Sequence, residues 1–209
     1  MCAEELGRIE KPSAEKFIKG RKLYFIPLVY CGQESPGEYR NKYNSYWEQV
    51  ENQITALEVK LGSVNRIFHE LIPADGEDGC AAVKELNEKS YHITKVYLDK
   101  GAQFESLEEG DLLAELMDWS KCLATGLQNQ KVLARVYEFY MEVNKKRNEY
   151  LSRRIDESLG EDETGVLFMR EEHQIQFPAG IQVFYVAPPA LDDLKRWLRD
   201  LEAKPQQES

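Results

Sequence analysis

The chain has 209 residues, of which 42% are hydrophobic and 31% charged, and its formal net charge is −10. That composition is too apolar for intrinsic disorder, and the length suits a single folded domain. The acidic balance disfavours phosphate backbones, so no nucleic-acid partner is expected, and a release-factor-like RNA-associated domain is set aside on the same ground.

Residues 1–20 are polar and mixed and read as a flexible lead-in, residues 21–203 as one α/β domain, and 204–209 as a disordered tail. Lys22–Tyr30 is the first strand; Pro27 inside it implies an edge position, a bulge or an early end, because proline cannot donate to a ladder. Tyr43, Trp47, Val50, Ile54, Leu57 and Leu61 recur every three or four residues, predicting a helix from about Pro36 to Leu61. Val64–Ile72 is a second strand, and the turn-rich PADGEDG follows. Ala81–Lys100 is predicted as one helix closed by Gly101, Ala102–Leu107 as a short third strand, and Asp111–Ala124 as another helix. Gln128–Leu159 is the longest helical pattern, spanning roughly 48 Å if fully helical. Val166–Met169 and Ile181–Ala187 are apolar strands, and Pro188-Pro189 opens a last amphipathic helix bearing Leu191, Leu194, Trp197, Leu198 and Leu201. Strands alternating with long helices predict an α/β protein: a three-layer α/β/α sandwich with a mainly parallel sheet of about five strands.

No apolar run approaches the roughly 18–20 residues of a membrane span, and the N-terminus lacks a basic-then-apolar leader layout, so a cytoplasmic protein without a membrane partner is expected. Cys2, Cys31, Cys80 and Cys122 are scattered without a Cys-x-x-Cys pair, which disfavours structural zinc. There is no G-x-G-x-x-G, G-x-x-x-x-G-K-[ST], H-E-x-x-H or G-x-S-x-G. His69-Glu70 lacks a second histidine four residues on, where Pro73 stands, so no metal site is assigned and the cofactor stays open.

In parallel sheets the chemistry sits beyond the carboxyl ends of the strands. Glu70 falls at such an end, with strand alternation sending Phe68 and Glu70 to one face and Ile67 and His69 to the other. His173 falls just beyond the Val166–Met169 strand, as a candidate base or ligand or as a plain surface histidine. Arg147 is the most informative position. Stepping 100° per residue from Val136 places it at about 20°, inside the apolar stripe of the long helix. Either it pairs with a structural carboxylate or snorkels at the end of the stripe, or it points into a polar pocket and clamps an anion. Glu105, Glu108 and Glu109 read as a solvated acidic face.

A strand ending in glutamate (Glu70 in FHELIP), then a helix carrying Lys146-Arg147-Asn148, then a strand followed by Arg170-Glu171-Glu172-His173, resembles the erythromycin-esterase/ChaN/TraB-like superfamily. The resemblance implies an α/β fold and a hydrolytic site built on Glu70, Arg147, Asn148 and His173. Where that family ends its first strand in Gly-x-x-His, this chain has Tyr30-Cys31-Gly32, and Arg170 stands in place of the later glycine. It therefore implies either lost hydrolysis or a different use of Tyr30 or Cys31. Two functions follow. One is a pocket for a small anionic ligand, with Glu70 and His173 handling protons and Arg147, Asn148 and Tyr30 binding. The other is a non-enzymatic interaction protein, a homo-oligomer or partner-binding chain, that uses Tyr137, Phe139 and Tyr140 of the long helix.

Overall fold

In the computed structural model, residues 18–203 are described. The expected tail and the first 17 residues of the expected lead-in lie outside them. The elements run β1 (Arg21–Pro27), α1 (Gly37–Leu61), β2 (Arg66–His69), α2 (Gly76–Leu86), α3 (Glu88–Asp99), β3 (Gln103–Glu105), α4 (Gly110–Ala124), α5 (Gln130–Ser158), β4 (Thr164–Met169), β5 (Ile181–Tyr185) and α6 (Pro189–Glu202).

The five strands form one sheet in the order β3-β2-β4-β1-β5, and every neighbouring pair is parallel. The α/β sandwich expected from the alternation is what forms. Strand side chains alternate between two apolar clusters. Tyr24, Ile26, Ile67, Val166 and Phe168 pack with α1, α2, α3 and α6 on one face. Leu23, Phe25, Phe68, Leu167 and Met169 pack with Leu151, Ile155 and Leu159 of α5 or just past it on the other. The connections that step towards β3, through α1 and through α2–α3, cover the first face. The connections that step back, through α4–α5 and through residues 170–180, cover the second, as a single hand of crossover requires. The 170–180 segment has no helix; Ile175 and Phe177 pack in its stead over β1.

Pro27 closes β1 rather than marking an edge. Lys22 N donates to Glu163 O and Leu28 N to Met169 O, so alternation turns the Pro27 nitrogen towards β5, past the last β1–β5 register pair, Phe25 with Tyr185. No ladder bond is lost there. The predicted helix 81–100 is corrected: the chain breaks at Asn87, which leaves helical geometry (φ −156°, ψ 106°) to cap α3, its side chain accepting from Lys89 N and Ser90 N. α2 also starts earlier than expected, at Gly76, inside the stretch read as a loop. There Gly79 is required by close approach: a Cβ on it would stand 2.4 Å from Ala74 O and 2.5 Å from the Phe104 ring. No helix among the described residues is long and apolar enough to cross a membrane.

Candidate functional site

Four segments converge at the carboxyl edge of the sheet. They are the turn after β2, the segment between β3 and α4, the middle of α5, and the segment after β4. A cavity of about 290 Å³ opens among them, and its wall includes Glu70, Arg147, Asn148, Arg170 and His173. Tyr137, Tyr140, Met141 and Asn144 of α5 form its upper side. The volume lies near the small end of ligand pockets.

Glu70 is buried, and β2–β4 pairing aims it: Glu70 N donates to Phe168 O, which turns the side chain to the α5 face as alternation predicts. Its Oε1 accepts from Arg170 N at 2.9 Å and from Arg170 Nε at 3.1 Å. Burial nevertheless holds the Glu70 carboxyl above the usual range, outweighing the Arg170 guanidinium and amide that pull it down. The next residue, Leu71, takes φ +67°, rare for a branched side chain. That turn points Leu71 N at Glu108 Oε1, 2.9 Å away.

Glu108 is the residue that sequence reading missed. Expected on a solvated face, it is 3% exposed and faces Arg147, itself 6% exposed. Arg147 Nε donates to Glu108 Oε2 at 2.8 Å, and Nη2 donates to Oε1. Burial lowers the Arg147 pKa, but the Glu108 hydrogen bond and charge more than offset it, and the guanidinium stays charged. Of the two readings of Arg147, pairing with a structural carboxylate is met, and the same side chain also lines the cavity. Glu108 engages the Nε–H and one Nη2–H, which leaves both hydrogens of Nη1 and the second of Nη2 as donors. The signal for Glu108 was present in Arg147: a guanidinium in an apolar stripe demands an acid, and three acids stood at the end of β3. The other two are not solvated bystanders either. Glu105 pairs with Arg66 and Glu109 caps α4 by accepting from Asp111 N and Leu112 N.

His173 is half-buried, its ring 4.8 Å from Phe25 and 5.4 Å from Phe177 between centroids. Ile175 N donates to its Nδ1 at 3.2 Å. The neutral ring therefore carries its hydrogen on Nε2, and burial lowers its pKa, so the imidazole offers a donor instead of seeking a proton. The loop bearing it is pinned by Glu171, which accepts from Tyr185 OH and pairs with Lys195 of α6. The Asn148 side chain lines the cavity and makes no hydrogen bond to the described residues. Asn144 donates to Gln174 Oε1 at the long distance of 3.5 Å.

Tyr30 is the expected residue the structure leaves off the cavity wall. Burial, and next the Glu70 carboxylate, raise its hydroxyl pKa, so it stands near the site as a neutral phenol. His69 is a core residue: it is fully buried on the other face, with Nδ1 2.7 Å from Glu70 O and Nε2 3.0 Å from Ser90 Oγ. No cluster of three metal-ligating side chains exists among the described residues. A larger groove of about 1020 Å³ continues from the cavity along α5, bordered by exposed charges such as Lys145, Glu149 and Arg153. The buried polar groups converge in the smaller cavity, not in that groove. Comparison of the chain with protein-family models, with curated proteins and with solved structures finds no match.

Proposed function

We propose that the protein binds a small carboxylate-bearing molecule in the cavity at the carboxyl edge of its sheet. One observation carries this reading: Glu70, Arg147, Asn148 and His173, distant in sequence, line a single cavity. Donors left over there are the Asn148 NH2, Arg147 Nη1 and His173 Nε2–H, beside the acceptor oxygens of Glu70 and Glu172. The three donors suit a ligand with acceptor oxygens. Because Glu108 already neutralises Arg147, recognition rests on hydrogen bonds more than on net charge.

The resemblance to the erythromycin-esterase/ChaN/TraB-like superfamily extends the proposal to chemistry. In that extension Glu70, its pKa raised by burial, takes a proton, and His173 Nε2–H donates to an oxygen gaining negative charge. Tyr30 serves as a neutral neighbour of Glu70 and not as a replacement for the missing histidine.

Thermal unfolding in sodium propionate, against matched chloride and against propionamide, tests the binding step. Propionate raises the Tm of the wild type in proportion to ln(1 + [L]/Kd), and Asn148→Leu removes the rise. The Asn148 side chain has no hydrogen bond to the described residues to lose, so the variant folds. A propionate response equal in Asn148→Leu, or absent from the wild type, contradicts the proposal.

A further inference from the structure

The cavity does not end at Asn148. Met141, Asn148 and Gln174 line both it and the larger groove, so the two form one continuous depression. The α5 wall of the groove is a strip of residues three or four apart: Lys145, Asn148, Ser152 and Asp156. From Asn148 to Asp156 that strip runs about 12 Å at the helical rise of ~1.5 Å per residue. Residues 173–178 make the facing wall. His173 and Phe177 turn their rings onto Phe25 and Ile175 is buried, while Gln174 and Gln176 stand exposed. That alternation is the period of an extended chain, so His173 to Phe177 covers about 13 Å at ~3.3 Å per residue. The two walls therefore run side by side over the same length, joined where Ser152 Oγ donates to Gln176 O.

We propose that the groove takes the last few residues of a peptide, with the terminal carboxylate seated in the cavity and the chain laid along α5. The proposal rests on the carboxylate reading above and names the molecule that bears the carboxylate. The chemistry of the walls selects a peptide. The side-chain amides of Asn148, Gln174 and Gln176 each offer a donor and an acceptor, the pair that a peptide group itself presents. Those of Asn148 and Gln176 make no hydrogen bond to the described residues. An acyl chain would strand these amides, and only Met141, Phe177 and Pro178 offer it apolar wall. Lys145 and Arg153 stand among Glu142, Glu149 and Asp156, a mixed wall that does not attract a polyanion. Phe177 is the one ring among the described residues of the groove, and it is half-buried against Phe25 and His173, so a sugar finds no open aromatic platform. With the carboxylate level with His173, the fourth residue from the peptide's end lies about 10 Å further on at ~3.3 Å per residue, beside Phe177 and Pro178. An apolar side chain is favoured there.

Isothermal titration calorimetry of the full chain with the peptide acetyl-Leu-Ala-Ala-Ala separates the steps. The free acid binds at least about 10-fold tighter than propionate, as a few added hydrogen bonds and one buried side chain allow, and its C-terminal amide loses that affinity. Gln176→Leu weakens the peptide at least about 3-fold. It leaves propionate unchanged, because Gln176 lies off the cavity wall. Intermolecular NOEs join the peptide's leucine methyls to the Phe177 ring. A peptide acid no tighter than propionate, or octanoate or trigalacturonate bound as tightly as the peptide, overturns the choice of a peptide and leaves the carboxylate reading standing. Peptide binding that ignores Gln176→Leu and shows no NOE to Phe177 overturns the groove as its seat. A peptide amide as tight as the acid, or no binding of propionate or peptide, overturns both this inference and the reading beneath it.

Discussion

The Arg147–Glu108 pair shows at the scale of single residues how a buried charge is made tolerable. Each partner is almost wholly removed from water, and Glu108 also accepts from Leu71 N, so its Oε1 is not left to one donor. Removing one member strands a charge: Arg147→Met or Glu108→Leu alone costs about 3–5 kcal/mol in urea unfolding. The double variant recovers most of that loss, because two apolar groups leave no charge behind. Two single costs that simply add would show that the pair is not the source. His69 gives a pH signature. Burial lowers its pKa from 6.5 to about 4. The unfolded chain therefore takes up a proton near pH 6.5 while the folded one does not, so stability is intact above pH 6.5 and falls by about 3 kcal/mol as pH drops to 4. Glu70, raised instead of lowered, contributes in the opposite sense, its share being lost as pH rises through its folded pKa. Ring resonances of His69 that stay those of a neutral imidazole down to pH 5 fit this account; titration near the ordinary value of 6.5 contradicts it.

At the scale of elements, the sequence was legible wherever one periodicity ran unbroken between turn formers. α1, α5 and β4 fall within a few residues of their expected bounds for that reason. The break at Asn87 was hidden because Val83, Ile93 and Tyr97 all face the core, as they would on one continuous helix. What interrupts the helix is a hydrogen-bonding choice by one side chain, which apolar spacing does not record. Asn87 also donates to Val29 O, tying α3 to the segment after β1. Asn87→Ala should cost about 1–2 kcal/mol, more than an ordinary cap, and Asn87→Asp should keep the cap while losing the Val29 bond. Urea midpoints ordered wild type, then Asp, then Ala check this; an Ala variant equal to the wild type contradicts it. Glu108 was hidden for a related reason. Its neighbours Glu105 and Glu109 make a run of acids, and composition alone cannot separate the one that meets Arg147 from those that pair elsewhere.

For the whole molecule, topology decides where chemistry collects. The chain steps from β1 to β2 and β3, then returns to β4 beside β1, so the carboxyl ends of β2 and β4 become neighbours although nearly 100 residues separate them. Glu70 and Arg170 meet across that junction, and α5, lying over it, supplies Arg147 and Asn148 from above. Sequence placed Glu70, Arg147 and His173 in that region because each stood at a strand end or inside the stripe of the covering helix, and Asn148 only through the resemblance. It misplaced Tyr30, whose backbone accepts from Tyr39 OH as β1 gives way to the approach to α1 and which stays off the cavity wall. The expected anion clamp changes character too, since Glu108 takes the charge of Arg147, and the cavity wall adds Glu70, Arg170 and Glu172 to its neutral donors. The most direct measurement is a 1H–15N titration of the wild type with propionate, reading the Asn148 side-chain amide and His173 Nε2. Saturable shifts at both, with a common Kd and absent with propionamide, are predicted. Shifts confined to surface lysines, or none at either residue, contradict the account.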